Sequence, residues 1–462
     1  MFIAAMEMTV VSTAMPTVVA ELGGALHYGW VFSAYMLAMT VSVPIYGKLA
    51  DLYGRKPVLH AAMVIFLASS MLCGQATTMT ALIVFRGLQG IGAGGLQPIA
   101  LTVVGDIFSI EERARMQGIF GAVWGLAGLV GPLAGGLIVT HLSWRWVFYV
   151  NVPFGIVSGL VLAIALVEEV EKKTRKLDLV GALVLSAAVV ALLVGVEGWF
   201  PWVLVPGSML LFVAFIAVEL RAAEPILPPR LFVRPVLAVA SALATIGGAA
   251  MIGLLTFLPL YAQGVLGATP TAAGAAIAPM AIAWPVASAL SGRLIPRHGF
   301  RPLVRTGVGI LFVATLYLVW VLTHAPTTTT IKIASAAFGF GMGLMNTPLV
   351  IAIQTSVTWS ERGVATASTM FFRSIGGTVG VGVMGAVFAH TLMQNPLLQD
   401  TGGSALVARI LGPERKSVPA DLLARIAGDL EHGVVLVAWI VVGLAVAAVL
   451  AAAFFPVVEK KA

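Results

Sequence analysis

The sequence predicts an all-α polytopic membrane protein: two six-helix bundles joined by an inserted two-helix hairpin, fourteen spans in all. Three observations predict it. Of 462 residues, 59% are hydrophobic and only 10% charged, with a mean hydropathy of +1.01; a soluble domain carries about 25% charged residues. Apolar runs of about 20 residues recur along the chain, long enough to cross a hydrocarbon core of roughly 30 Å at 1.5 Å per residue. Finally, a basic, glycine-bracketed loop occurs twice. Gly47-Lys-Leu-Ala-Asp51-Leu-Tyr-Gly54-Arg55-Lys56-Pro57 returns as Gly292-Arg-Leu-Ile-Pro296-Arg-His-Gly299-Phe300-Arg301-Pro302, each copy between two apolar segments. A motif repeated once per half marks a duplicated bundle.

In order, span 1–22 carries Glu7 in an otherwise apolar run. Spans 30–50 and 57–76 flank the first basic loop, 80–104 carries Arg86, 115–139 is glycine-rich, and 144–167 opens on Trp144-Arg145-Trp146. Spans 178–196 and 202–220 form the inserted hairpin, set between the charged run 168–176 and Pro225, Pro228, Pro229 and Pro235. Spans 236–262, 271–295, 303–323, 330–357, 363–390 and 432–456 complete the chain, the second basic loop falling between 271–295 and 303–323. The expected domains are therefore 1–170, a linker 171–235, and 236–462 with an outer connection 391–431. Within that connection, 419–428 has the spacing of an amphipathic helix.

Charge sets the orientation. Lys48, Arg55, Lys56, Arg113, Arg115, Lys172, Lys173, Arg221, Arg230, Arg234, Arg301, Arg305 and Arg362 fall on one side, while the short connections on the other carry essentially Arg145. Both termini are then expected to be cytoplasmic; the membrane expected is the plasma (bacterial inner) membrane. Trp30, Trp144, Trp146, Trp199, Phe200 and Trp202 collect at the opposite rim, where aromatic anchors belong. Because the first segment is followed at once by further spans, it is not a cleavable signal peptide. Only six residues precede Glu7, so span one is short or the chain begins upstream.

Composition also excludes. A single cysteine, Cys73, forbids an intramolecular disulfide and reads as a small buried hydrophobe. The net charge of +7 follows the membrane topology rather than a nucleic-acid footprint. The seven histidines lack metal-ligand spacing, and no Gly-x-x-x-x-Gly-Lys-Ser/Thr loop offers a nucleotide site. No cofactor, metal, catalytic cluster or nucleic-acid partner is expected; the partners are a small-molecule substrate, protons and lipid, and the protein is expected to act as a monomer.

Several side chains carry chemistry. Arg86 lies about two turns inside its span, where an unpaired charge costs roughly 2.5–3.5 kcal/mol near the bilayer centre, so it should face the bundle interior. Gln89 and Gly90 share its face. A carboxylate inside a span is costly when ionised, which makes Glu7 the candidate proton carrier. Counted from the outer rim, Glu7 lies deeper than Arg86, so residue order alone does not pair them. Gly121, Gly125, Gly128, Gly131 and Gly135 give one helix a bare stripe for close packing, and Pro132 introduces a pivot. Gly47 and Gly54 permit close approach and a tight turn, Arg55 and Lys56 hold the loop in water, and Asp51 can cap the third span or pair with a neighbouring base. Asp106, Glu21, Glu197 and Glu219 sit at span ends, where solvated roles are the default. Met15, Phe257, Met280 and Phe371 could line an adaptable apolar pocket. Arg373, deep in span 363–390, has a structural and a substrate-binding reading.

Five strings together resemble the major facilitator superfamily, in particular its fourteen-span drug:proton antiporters. The loop Gly47–Lys56 resembles the signature loop between helices two and three. Arg86-Gly-Leu-Gln89-Gly90 resembles the arginine motif of helix four, and Gly131-Pro132-x-x-Gly135-Gly136 the antiporter motif, echoed by Arg373-Ser-Ile-Gly376-Gly377. Glu7-Met-Thr9 to Pro16 and Trp144-Arg145-Trp146 to Gly155 resemble hallmarks of the fourteen-span branch, which usually has aspartate where Glu7 stands. The resemblance implies gating by Gly47, Asp51, Gly54, Arg55, Lys56, Gly131, Pro132 and Gly135. It implies proton coupling by Glu7 and Arg86; Met15, Gln89, Phe257, Met280, Phe371 and Arg373 are the candidate substrate contacts read from the residues themselves. Pro296 replaces the aspartate in the second loop, so no equivalent latch is expected there.

The function expected is proton-coupled efflux of hydrophobic or cationic compounds. The alternatives are proton-coupled uptake, which the antiporter motif disfavours, and a non-transporting membrane sensor. An enzyme would need a polar cluster at one membrane face, and the sequence supplies none.

Overall fold

The computed structural model describes the chain except residues 1–5, 8–9, 12–13, 16, 19–20, 23–27, 167, 169–177, 197, 325, 396–417 and 459–462, and, within helices, the side chains at 28–29, 111, 128–129, 132–133, 140 and 270–271. Among the described residues the fold is all-helical. In chain order the α-helices are α1 (Tyr28–Tyr53), α2 (Arg55–Gly74), α3 (Met79–Ile107), α4 (Ile110–His141), α5 (Trp146–Tyr149), α6 (Asn151–Ala165), α7 (Leu179–Val196) and α8 (Pro201–Glu219). There follow α9 (Pro229–Phe232), α10 (Pro235–Gly264), α11 (Pro270–His298), α12 (Phe300–His324), α13 (Thr328–Ser356), α14 (Arg362–Leu392) and α15 (Ala420–Ala453). The described positions between 6 and 22 are helical as well.

Twelve of the described helical stretches are long and apolar enough to cross a membrane. They match twelve of the fourteen expected spans to within a few residues, apart from the last, which begins twelve residues early. Of the other two, 1–22 lies partly outside the described residues. Span 115–139 falls in the 32-residue helix α4, some of whose side chains are not described.

The polar edge of the last span differs from expectation. Residues 420–431, read as part of an outer connection, are the first turns of α15. The reason is packing: Ile426 and Leu430 are fully buried against Leu260, Val265, Phe388 and Leu392. The amphipathic spacing at 419–428 is thus real, and its apolar stripe docks on α10 and α14.

The two basic loops end up as single-residue hinges. Gly54 separates α1 from α2 at φ 95°, and Gly299 separates α11 from α12 at φ 77°. At positive φ a side chain would clash with its own backbone, so glycine is required at both. The repeat in sequence is therefore a repeat in backbone conformation.

The chain falls into two compact units. One comprises Met1–Ala238, Val350–Phe371 and Lys460–Ala462; the other comprises Val239–Leu349 and Phe372–Glu459. In the first, α1 and α2 both pack along α3, and α7 packs on α8. Close approach is possible because α3 is bare: a Cβ on Gly90 would lie 2.3 Å from the Tyr35 carbonyl, and one on Gly92 would lie 2.4 Å from the Phe66 nitrogen. In the second unit, α12 packs along α15. There Gly248 of α10 receives the Arg373 backbone, and Gly376 of α14 receives Thr245.

Candidate functional site

Polar side chains inside a membrane bundle must find partners among themselves, because no water completes their hydrogen bonds. In the first unit they form one closed network. Glu7, in the N-terminal segment, is 1% exposed, and Arg86 of α3 is equally buried. Arg86 Nη1 donates to Glu7 Oε1 at 2.6 Å and to Gln89 Oε1 at 2.7 Å; its Nε donates to the Val31 carbonyl at 3.2 Å. The guanidinium also lies over the Tyr35 ring, 4.2 Å from the centroid. The ion pair that residue order could not settle is thus direct.

Sequence reasoning missed two members of this network. Asn151, the first residue of α6, donates through Nδ2 to Glu7 Oε2 and to Ser70 Oγ, the latter at 3.1 Å. Ser70, on α2, also accepts from Gln89 Nε2 at 3.1 Å and donates to the Phe148 carbonyl at 2.9 Å. Cys73 Sγ points at Gln89 Oε1, 3.7 Å away. Both Asn151 and Ser70 are buried. Asn151 stands in the Trp144–Gly155 string, but nothing in its spacing says which carboxylate it would meet.

An apolar cluster seals this network, with Val10, Val11, Met15, Val31, Leu82, Trp144, Val147 and Phe148 among its buried members. Met15, a candidate pocket-lining residue, is buried within this cluster. Trp144, expected as an interfacial anchor, is buried too. Its indole N–H donates to Glu21 Oε2 at 2.7 Å, Arg145 donates to Glu21 Oε1 at 2.6 Å, and the Arg145 guanidinium stacks on the Trp144 ring. Glu21, read as a solvated span end, is indeed exposed and also ties the N-terminal segment to the turn before α5.

A second cluster lies around the Gly47–Lys56 loop. Asp51 Oδ1 accepts the Gly363 amide at 2.9 Å and Oδ2 the Val364 amide at 2.7 Å. Those amides belong to the first turn of α14, whose unpaired N–H groups and positive dipole end favour an anion. Of the two expectations for Asp51, capping the third span or pairing with a neighbouring base, the structure has the pairing, with Arg55; the third expected span, α2, is capped by Glu168, which accepts the Arg55 and Lys56 amides at 2.8 Å each. Arg55 pairs with Asp51 (2.9 Å) and Asp106 (3.0 Å), donates to the Trp359 carbonyl at 2.8 Å, and lies 4.0 Å from the Trp359 ring centroid. Asp106, another presumed solvated end, bridges Arg55 and Arg362. Gly47 is needed because its Cβ would lie 2.4 Å from that of Ala367. Lys48 reaches Glu224 in the linker at 2.7 Å, and buried Glu219 accepts the amides of Ile226 and Leu227.

The remaining expected site residues are dispersed. Lys56 donates to the Ala163 carbonyl. Gly131 and Gly135 are buried within α4, and the side chain of Pro132 lies outside the described residues. Phe371 is buried in the first unit. In the second unit, Phe257 packs on Phe388 with centroids 5.4 Å apart, and the Met280 backbone lies against Gly339. Arg373 is half-buried on α14.

A model of the Major Facilitator Superfamily matches residues 1–381. The chain belongs to the major facilitator superfamily. It is 39% identical over 405 residues to the multidrug transporter protein MdtP of Bacillus subtilis (strain 168), covering 84% of this chain and 73% of that protein. It is 35% identical over 456 residues to multidrug resistance protein 3 of the same organism, covering 93% and 88%. Among solved structures it resembles the proton:xylose symporter XylE bound to 6-bromo-6-deoxy-D-glucose, with a TM-score of 0.65 at 13% identity over 99% of this chain and 94% of that one. That likeness shows the superfamily fold. The buried pair and the Asp51 cluster thus sit in a multi-pass transporter fold whose relatives are named for multidrug transport.

Proposed function

We propose that this protein is a proton-coupled secondary active efflux transporter that exports hydrophobic or cationic small molecules by alternating access. The observation that carries the reading is the Glu7–Arg86 pair. It is a fully buried carboxylate that accepts hydrogen bonds from one guanidinium and one amide, in a position that can take up a proton when opened to water. Protonation would remove the charge that Arg86 faces and leave the guanidinium held, among the described residues, by Gln89, Val31 and Tyr35. A proton moving down a potential of 100 mV releases about 2.3 kcal/mol, enough for roughly 45-fold accumulation. The names of the relatives support drugs as the cargo, and the Gly131-Pro132 string supports export.

In this reading the Asp51 cluster closes the cytoplasmic end while the site is open to the outside, with Arg55, Asp106 and Arg362 as its charged frame. Fourteen spans, with α7 and α8 as the inserted hairpin, both termini cytoplasmic, a plasma-membrane location and a monomeric working unit complete the proposal. The test is reconstitution into sealed vesicles with an imposed pH gradient and a panel of lipophilic cations, ethidium among them. Gradient-driven exchange that collapses with a protonophore is the expected result. Cation movement indifferent to the gradient would remove the coupling from the proposal.

A further inference from the structure

We infer that Asn151 is a positioning residue that reads the protonation state of Glu7 and passes it, through Ser70, to the turn preceding α6. This rests on the reading of Glu7 as the proton carrier. Among the described residues, the Asn151 amide has two hydrogen-bond partners, and both of its Nδ2 protons are used: one on Glu7 Oε2, one on Ser70 Oγ. The amide orientation follows from those neighbours, since an ionised carboxylate can only accept. Ser70, already accepting from Asn151 and Gln89, sends its own proton to the Phe148 carbonyl. Every donor in this arrangement has one direction, and all of them fit a charged Glu7.

Protonation reverses that logic. Once Glu7 carries a proton, its hydroxyl needs an acceptor, while Nδ2 of Asn151 can only donate. A half-turn of the amide places Oδ1 where Nδ2 stood, facing both Glu7 and Ser70. The Ser70 proton then swings from the Phe148 carbonyl to Asn151 Oδ1, while Nδ2 turns to the side that Oδ1 had faced. The change is delivered at Phe148, in the short α5, which follows the Trp144-Arg145 turn tethered to Glu21. A proton arriving at Glu7 thereby loosens one anchor of the outer segment without any charge moving through it. Apolar packing alone would not favour an amide here, because a buried Asn with unpaired groups is costly. The other titratable or charged groups facing Glu7 among the described residues are Arg86 of α3, Tyr35 of α1 and Cys73 of α2, with the Gln89 amide beside them.

The test uses full-length protein in sealed vesicles, with ethidium as the probe and transport rate followed against external pH. Removing a donor that holds the charged form should move the midpoint of the pH profile of Asn151→Ala upward by about one unit or more. Ser70→Ala should move it in the same direction, and the double variant should shift no further than the larger single shift. Asn151→Gln, which keeps the amide, should bring the midpoint back toward wild type. A wild-type midpoint in Asn151→Ala, or in Ser70→Ala if the former does not fold, overturns the inference. Glu7→Gln separates the two levels of the argument. If Glu7→Gln abolishes the pH dependence while both amide-network variants keep the wild-type midpoint, only the role of Asn151 fails. If Glu7→Gln itself keeps the wild-type profile, the proton-carrier reading fails and this inference with it.

Discussion

Glu7 and Arg86 are 79 residues apart in sequence and 2.6 Å apart in space, both sealed from solvent by the apolar cluster around Met15 and Trp144. A buried ion pair is stabilising only when its remaining hydrogen-bond capacity is met. Here Gln89 and Val31 accept from Arg86, Asn151 donates to Glu7, and the Tyr35 ring lies under the guanidinium face.

Arg86→Ala leaves Glu7 buried without its counter-charge. Breaking such a pair costs about 3–5 kcal/mol, so the variant should melt earlier in detergent and lose at least ten-fold in transport. Arg86→Lys should fail as well, because one ammonium cannot serve Glu7, Gln89 and Val31 while lying flat on Tyr35. Full activity in the lysine variant would reduce the site to a simple positive charge.

Gly90→Ala tests whether the network depends on helix spacing. The added Cβ would sit 2.3 Å from the Tyr35 carbonyl, forcing α1 away from α3 and drawing the ring off Arg86. Overpacking of this kind costs about 1–3 kcal/mol. Thermal stability should fall by that order and transport should fall with it; a neutral substitution would show that α1 can give way freely.

Much of this was legible from residue types, and some of it was not. Glu7, Arg86, Gln89 and Asp51 announce themselves because a charged or amide group within an apolar run must have a purpose. Their partners do not. Asp51 meets Gly363 across 312 positions of sequence, a contact set by how α14 begins rather than by anything near Asp51. Asn151 looks like one more polar residue at a helix start until Ser70 and Glu7 are seen around it. Trp144 misled because an aromatic residue near a span end usually anchors to headgroups, whereas here Glu21 takes its N–H. Residues 420–431 misled because their charges suggest a loop, although Ile426 and Leu430 keep helical spacing.

Asp51→Ala should release the first turn of α14. Two amides lose their acceptor and Arg55 loses one of its two carboxylates. Because the only native cysteine, Cys73, is buried, a cysteine introduced at Thr366 reports alone in thiol labelling. Labelling there should rise several-fold in the Asp51→Ala background, and an unchanged rate would mean that the cluster does not hold this end closed.

Gly54→Ala and Gly299→Ala place a side chain at φ 95° and φ 77°. Strain of this kind costs of order 1–3 kcal/mol at each position. Both should lower the melting temperature by similar amounts, since the two hinges are backbone equivalents. A marked loss at Gly54 alone would show that only the first loop is constrained.

The central claim is that the proton travels on Glu7. Its most direct measurement is proton counterflow: vesicles loaded with a pH-sensitive dye, challenged with an inward or outward gradient of ethidium, for wild type and Glu7→Gln side by side. The account predicts that ethidium movement changes internal pH in wild type, and that Glu7→Gln still binds ethidium but moves no protons. Equal proton counterflow in the two would contradict it.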